Sequence, residues 1–195
     1  MMKPKQLWEK IKEGTIPIMM TPFTADNRLD EAGLRKQVQW MREKDTTGEL
    51  VGLLLTGTNA EFYALTDEEY MRVIRIVLDE VKGSLPVIAG AMAVGTQNTI
   101  DLARRIQDLG VDGIQIVNPY YIYPTQEGVL RHLEAVINAL DVGIELYNNP
   151  ITTHVYVGAE TVVKLIDAVG DKIVCIKESS PTDFEFYQMV HLVGK

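Results

Sequence analysis

The sequence has few of the residues that build metal sites and disulfides. Its 195 residues include one cysteine, Cys175, and three histidines. A single cysteine cannot form an internal disulfide, which favours a reducing compartment such as the cytoplasm. The histidines, His132, His154 and His191, are far apart and show neither i, i+4 nor H-x-H spacing. We therefore expect no metal site.

Positive charge and long apolar runs are also scarce. Lys and Arg number 19 against 27 Asp and Glu, which gives a formal net charge of −8. An acidic chain without a Lys/Arg cluster repels the phosphate backbone, and this argues against a nucleic-acid partner. No apolar stretch approaches the ~18 residues of a membrane span, and no apolar run follows the first charges as in a secretory signal. We expect a cytoplasmic protein without a membrane partner.

What the sequence does contain is a series of six short apolar runs, each followed by an amphipathic stretch. The runs are nearly continuous in Val, Ile, Leu and Met, which is typical of parallel strands covered on both faces. The predicted strands are residues 16–20, 51–55, 86–90, 113–117, 142–146 and 172–176. The predicted helices cover 30–44, 67–82, 97–109, 126–140 and 158–168, and another begins near Thr182.

Strand–helix units at this spacing fit an α/β protein of one of two kinds, an open doubly wound sheet or a TIM (β/α)₈ barrel. A dinucleotide-binding sheet carries a G-x-G-x-x-G turn after its first strand. The corresponding residues 21–24 contain no glycine. The sequence therefore favours the barrel, and no nucleotide cofactor is expected.

The length is short for such a barrel. Eight units occupy about 250 residues, whereas six are recognisable in residues 1–195. We expect one barrel domain that lacks its C-terminal part and ends within the sixth helix. Open edges at 16–20 and 172–176 would recruit other chains, so these residues alone are expected to aggregate or to fold only partly.

In a TIM barrel the reactive groups lie at the C-terminal ends of the strands. The segments in that position are Gly57-Thr58-Asn59-Ala60-Glu61, Asn118-Pro119-Tyr120-Tyr121, Tyr147-Asn148-Asn149-Pro150 and Lys177-Glu178-Ser179-Ser180. Lys177 closes an apolar run, where desolvation disfavours the ammonium and leaves an amine that can attack a carbonyl carbon. The alternative is a strand-end lysine whose charge Glu178 neutralises.

Residues with hydroxyl groups lie at the same predicted end of the barrel as this lysine. Tyr147 and Tyr121 can pass protons if a hydroxyl links them, and Thr58 is placed to supply it. The turn amides around Gly57 can bind a carboxylate. The alternative is that the tyrosines are rim residues with the ring packed and the hydroxyl in water.

Four motifs, in this order, resemble the family of dihydrodipicolinate synthase and N-acetylneuraminate lyase, the pyruvate-dependent class I aldolases. They are Gly57-Thr58-Asn59-Ala60-Glu61, Pro119-Tyr120-Tyr121 with Thr125-Gln126-Glu127-Gly128, Tyr147-Asn148-Asn149-Pro150, and Ile176-Lys177-Glu178-Ser179. The first is similar to the family's G-T/S-T-G-E. The resemblance runs from Thr15 to the end of the chain and implies a TIM barrel that acts on a 2-oxo acid.

The resemblance also implies roles for individual residues. Lys177 would form a Schiff base with C2 of pyruvate or another 2-oxo acid, and Tyr147 would be the general acid/base. Thr58 and Tyr121 would complete its proton relay, with Tyr121 coming from a neighbouring subunit of a homodimer or homotetramer. Thr58 and Asn59 would hold the pyruvate carboxylate. A lyase of this kind needs no cofactor and takes an aldehyde as its other substrate.

Two positions depart from the family pattern. Asn59-Ala60 replaces a hydroxyl residue and a glycine, and Thr152 stands where the synthases carry an arginine that grips the carboxylate of the aldehyde. Threonine cannot replace a bidentate guanidinium. The alternative within the family is therefore an aldolase or dehydratase of 2-keto-3-deoxy sugar acids. A non-catalytic ligand-binding barrel is the alternative from another class, and the presence of Lys177 and Tyr147 counts against it.

Overall fold

The computed structural model describes residues 2–194, and a parallel sheet forms its centre. The strands are Leu53–Leu55 (β1), Val87–Gly90 (β2), Gly113–Val117 (β3), Gly143–Asn148 (β4) and Ile173–Glu178 (β5). They pair in the order β1-β2-β3-β4-β5, and each pair is parallel. A strand order that follows the chain is that of a (β/α) barrel, because a doubly wound sheet reverses its order at a switch point.

The helices are Pro4–Ile11 (α1), Glu31–Lys44 (α2), Asp67–Val81 (α3), Thr96–Asp108 (α4), Gln126–Asn138 (α5), Pro150–Thr153 (α6), Ala159–Val169 (α7) and Asp183–Val193 (α8). Six of them correspond to the predicted helical patterns, whereas α1 and α6 were not predicted. In the part of the chain that the structure describes, no helix is long and apolar enough to span a membrane.

The prediction of a regular first strand at 16–20 is wrong. This segment runs parallel to β1 but meets it in one isolated bridge, which pairs Ile18 with Leu54; a second bridge, Thr15 with Leu50, lies just before both. Pro17 interrupts the ladder because it has no N–H to donate. Its carbonyl still accepts a hydrogen bond from the Leu54 N–H at 3.0 Å, and the Met19 N–H donates to the Leu54 carbonyl at 2.8 Å. The segment therefore holds the position of the first barrel strand without its regular geometry.

Alternate residues of the strands face two separate cores. Leu55 and Ile116 belong to the large core between the sheet and the helices. Leu54 and Ile88 point the other way, into a smaller cluster in the barrel interior. This alternation is what a period of two along a strand requires, and both faces are apolar because helices cover the outside.

Helix α1 closes the lower end of the interior. Leu7 is completely buried there, against Leu54 and Ile88. Two glycines make room for it, since a Cβ at Gly113 would lie 2.7 Å from Leu7 Cδ2 and one at Gly143 would lie 3.0 Å away. Close packing rather than backbone conformation therefore favours glycine at both positions, and other neighbours add to it: the Gly143 carbonyl oxygen, 3.2 Å from a Cβ at Gly113, and Val174 Cγ1, 2.9 Å from one at Gly143.

The pairing of β4 with β5 contains an irregularity. Ile144 is paired with Ile173, but the next residue of β4, Glu145, is paired with Cys175. One residue of β5, Val174, is therefore left over, as in a β-bulge. Both Val174 and Cys175 consequently pack in the interior cluster, although they are consecutive.

Substitution of Gly113 by alanine should destabilise the protein by ~1–3 kcal/mol, because the new methyl group overlaps Leu7 Cδ2 and forces the packing apart. Urea denaturation measures the difference. Gly128→Ala is the matched control: a Cβ there lies 3.5 Å from its nearest neighbours, which is ordinary contact, and α5 tolerates alanine well.

The cause is tested in a double-mutant cycle with Leu7→Ala. With the leucine side chain removed, the penalty of Gly113→Ala should fall, leaving the smaller part that the Gly143 carbonyl oxygen and Ile88 Cγ1 impose at 3.2 and 3.3 Å. An equal penalty in both backgrounds would show that Leu7 does not set the requirement for glycine.

Candidate active site

The irregularity between β4 and β5 determines where Lys177 points. If side chains alternated regularly along β5 from Ile173, Lys177 would face the outer helices. Because Val174 is left over, Lys177 is instead paired with Tyr147 and faces the interior. Its Nζ lies 3.9 Å from the centre of the Tyr147 ring, in a cation–π contact. Tyr147 is buried, with 6% of its surface exposed. Two of the predicted site residues thus meet at the C-terminal ends of adjacent strands.

The neighbouring acid, Glu178, has other partners. One carboxylate oxygen accepts a hydrogen bond from Asn148 Nδ2 at 2.9 Å, and the other accepts one from Ser180 Oγ at 2.6 Å. Asn148 is completely buried and also bonds to the backbone of Val157. The interpretation of Lys177 as a strand-end cation neutralised by Glu178 is therefore not what the geometry shows.

A buried polar pair lies one layer below the lysine, and the sequence analysis missed it. Gln115 Nε2 on β3 donates to Glu145 Oε2 on β4 at 2.9 Å. Burial raises the pKa of the Glu145 carboxyl, while the hydrogen bond from Gln115 and the charge of Lys177 act against that increase. The available signal was a charged residue within the apolar run of β4 and an amide within that of β3.

The Gly57 motif forms a short turn at the same end of the sheet. A single turn of 3₁₀ helix at Thr58–Ala60 follows Gly57. Gly57 is buried, Thr58 is half-buried and Asn59 is exposed. Thr21 donates its hydroxyl hydrogen to the last carbonyl of the turn at 2.8 Å. The turn is thereby fixed to the segment that follows residues 16–20.

A close contact between the C-terminal ends of the paired strands β1 and β2 supports this turn. Thr56 is completely buried with a left-handed backbone, φ 49°, and its hydroxyl donates to the Gly90 carbonyl at 3.2 Å. The Tyr70 hydroxyl from α3 donates to the same carbonyl at 2.6 Å, and burial raises the pKa of that phenol. A Cβ at Gly90 would lie 2.5 Å from the Thr56 carbonyl oxygen, so only glycine fits. A tyrosine in an amphipathic helix gives no sequence signal of this role.

Tyr121 is not part of the assembled site in this chain. Its side chain is 89% exposed and its backbone is left-handed, with φ 85°. Within residues 2–194, no hydrogen bond joins Tyr121, Thr58 and Tyr147. Tyr147 instead packs with Met92 and Val117. The predicted proton relay therefore stays a prediction.

A cavity of about 310 Å³ opens beside this cluster. Its walls carry uncharged side chains, namely Thr58, Phe62, Tyr63, Met92, Val117, Tyr120, Thr152 and Thr153. Thr152 accepts a hydrogen bond from Asn149 Nδ2 at 2.6 Å, which fixes it in the wall. The position expected to hold an arginine in the synthases thus presents a hydroxyl and no cation.

Comparison with known proteins identifies the family. Residues 12–195 match the model of the dihydrodipicolinate synthetase family. The chain belongs to this family. The predicted resemblance is therefore confirmed, and helix α1, with Leu7, lies before the matched segment.

Individual members of the dihydrodipicolinate synthetase family are similar over most of the chain. It is 38% identical over 182 residues to the 4-hydroxy-tetrahydrodipicolinate synthase of Pelobacter propionicus, which covers 93% of this chain and 60% of that protein. The chloride-inhibited dihydrodipicolinate synthase of Acinetobacter baumannii complexed with pyruvate superposes with a TM-score of 0.85 at 31% identity, covering 93% of this chain and 60% of that one.

A second solved structure is the prophage protein YagE of E. coli K12, a family member in complex with pyruvate. Its TM-score is 0.85 at 30% identity, with 93% of this chain and 59% of that chain covered. These likenesses, together with the sequential parallel sheet, confirm the predicted TIM-barrel class as a partial barrel. The chain spans about 60% of the length of the relatives that it matches.

Proposed function

We propose that the protein is a lyase of the aldolase type that forms a Schiff base between Lys177 and C2 of pyruvate or a related 2-oxo acid. The observation that carries this proposal is the contact of Lys177 Nζ with the Tyr147 ring at 3.9 Å, inside the C-terminal end of the sheet. A lysine placed there, with the adjacent acid Glu178 bonded elsewhere, is available to a carbonyl substrate.

The proposed reaction begins when the neutral amine attacks the C2 carbonyl carbon. A C–N bond forms, the carbonyl oxygen takes up one proton from the attacking nitrogen and a second from a general acid, and its departure as water leaves a protonated imine. Because the imine withdraws electrons, a proton leaves C3 and its electron pair forms an enamine. The enamine carbon can then form a C–C bond with an aldehyde, and hydrolysis of the imine releases the product and the lysine; cleavage is the reverse sequence.

Proton movements are assigned to the hydroxyl groups at this edge. Tyr147 lies beside the amine and is the proposed general acid/base. Thr58 and Tyr121 are the proposed relay, with Tyr121 acting from a partner subunit because its own side chain is exposed. The amides of the Gly57 turn, with Thr58 and Asn59, are proposed to bind the carboxylate of the 2-oxo acid.

The identity of the second substrate depends on the uncharged cavity. The named relatives support a dihydrodipicolinate synthase-like reaction of pyruvate with an aldehyde. Against this, Thr152 offers a hydroxyl where a carboxylate-bearing aldehyde needs a cation. The hydroxyl groups of Thr58 and Thr152 in the cavity wall favour a 2-keto-3-deoxy sugar acid as the alternative substrate.

Incubation with pyruvate and borohydride tests the Schiff base directly. The protein should gain the mass of a reduced pyruvate adduct on Lys177, and Lys177→Ala should abolish the gain. Lys164→Ala removes an exposed lysine of α7 and is the matched control, which should label normally. Labelling of Lys177→Ala would move the nucleophile elsewhere, and a wild-type protein that never labels would favour the non-catalytic barrel.

Tyr147→Phe should slow turnover without disturbing the fold, since the ring and its contact with Lys177 remain and only the hydroxyl is lost. General acid–base groups contribute about 10²–10⁴-fold, and the rate of deuterium exchange at C3 of pyruvate should fall by that order. This assay needs no aldehyde. Tyr187→Phe, on an exposed tyrosine of α8, is the control. An unchanged exchange rate in Tyr147→Phe would exclude the role.

The protein is also proposed to form a homodimer or homotetramer with the Tyr121 loop at the interface. Tyr121, Ile122 and Tyr123 are 89%, 72% and 75% exposed and form an apolar patch. Ile122→Asp should therefore shift the sedimentation coefficient towards the monomer, because a charge in the interface lacks a partner. A wild-type protein that sediments as a folded monomer at micromolar concentration would contradict the assembly.

A further inference from the structure

The barrel interior changes character from its floor to its mouth. The floor is apolar and consists of Leu7, Leu54 and Ile88. The layer above it contains Glu145 and Gln115, which the parallel register places opposite each other on β4 and β3. A carboxyl group between an apolar floor and a reactive lysine is costly to bury unless it has a partner.

The Glu145 carboxyl has one firm partner and one charged neighbour. Gln115 is completely buried and donates to it, while the remaining amide oxygen of Gln115 has no hydrogen-bond partner. The charge of Lys177 acts to lower the pKa of this carboxyl, and Lys177 lies two residues above Cys175, the residue paired with Glu145. Gln115 therefore fixes the carboxyl, and the strand register places Lys177 next above it on the same interior-facing side.

Three strands and the floor of the barrel surround the Glu145 side chain. Strand β5 presents Cys175 and Lys177, β3 presents Gln115, and β4 itself presents Tyr147. The α1 and β1–β2 side of the interior contributes apolar side chains. The Cys175 thiol stays protonated, because burial and the charge of Glu145 raise its pKa to about 12. Of these groups, Lys177 is the one cation, and its charge acts to lower the pKa of the Glu145 carboxyl.

We propose that Glu145, held by Gln115, is a positioning residue that stabilises the positively charged forms of Lys177 from the layer below. These forms are the ammonium before reaction and the protonated imine after it, so the proposal rests on the proposed Schiff-base function. The interaction is mutual: a carboxylate that is stabilised by the lysine stabilises the lysine cation by the same amount. The imine nitrogen then has an anionic neighbour on the side away from the substrate.

Competitive acetylation measures this coupling without any substrate. Wild-type protein, Glu145→Gln and the control Glu160→Gln are treated with trace acetic anhydride at a series of pH values, and acetylation of Lys177 is followed by peptide mass spectrometry. Glu145→Gln should shift the pH midpoint of acetylation downward by about one unit, because the ammonium loses a nearby anion. Glu160 is exposed on α7, so its variant should match the wild type.

A second variant keeps the test decisive. If Glu145→Gln does not unfold cooperatively, Glu145→Leu, which removes the buried acid and keeps the volume, should show the same downward shift. An unchanged midpoint in either folded variant overturns the proposal. Borohydride trapping with pyruvate is run in parallel. If the wild-type protein does not label, the proposed reaction is refuted, whatever the pH midpoints of acetylation are. If it labels but the pH midpoints do not shift, only the role of Glu145 is refuted.

Discussion

The pairing of β4 with β5 is the constraint on which the candidate site depends. An unshifted register would place Ile176 beside Tyr147 and turn Lys177 towards the helices. The single residue that is left over at Val174 reverses the faces of the strand above it. The amine is therefore directed to the barrel interior by a backbone irregularity about three residues away, and every chemical role proposed for it requires that irregularity.

Residues at the floor of the barrel interior have structural functions, and residues nearer its mouth have the proposed chemical ones. At the floor, Leu7 fills the space that two glycines leave open and packs with Leu54 and Ile88. In the middle, Glu145 is buried but paired with Gln115. At the mouth, Lys177 lies against Tyr147, whose neighbours Met92 and Val117 line an uncharged cavity. In the proposed reaction the Glu145 carboxyl thus lies on the apolar side of Lys177 and the 2-oxo acid on the open side, which is the arrangement that electrostatic stabilisation of a cationic intermediate needs.

Much of the fold was predictable because the signals are local. Continuous apolar runs gave β1 to β5, and the capping box of Thr66 and Glu69 at the start of α3 is present in the structure. The first predicted strand failed because Pro17 removes a ladder donor, although its hydrophobic pattern is that of a strand. Helix α1 was missed because eight residues, half of them polar, give little sign that Leu7 enters the barrel.

The sequence by itself determined the family, the alternation of strands and helices, and the set of residues at the carboxyl ends of the strands. Each of these follows from short-range patterns in the chain. Only the tertiary structure decided which way Lys177 faces, that Glu178 is bonded to Asn148 and Ser180, and that Glu145 meets Gln115. Most of these contacts join residues about 30 positions apart on neighbouring strands. Such contacts depend on strand register, and a one-residue difference in register, which leaves the local sequence unchanged, moves every side chain beyond it to the opposite face.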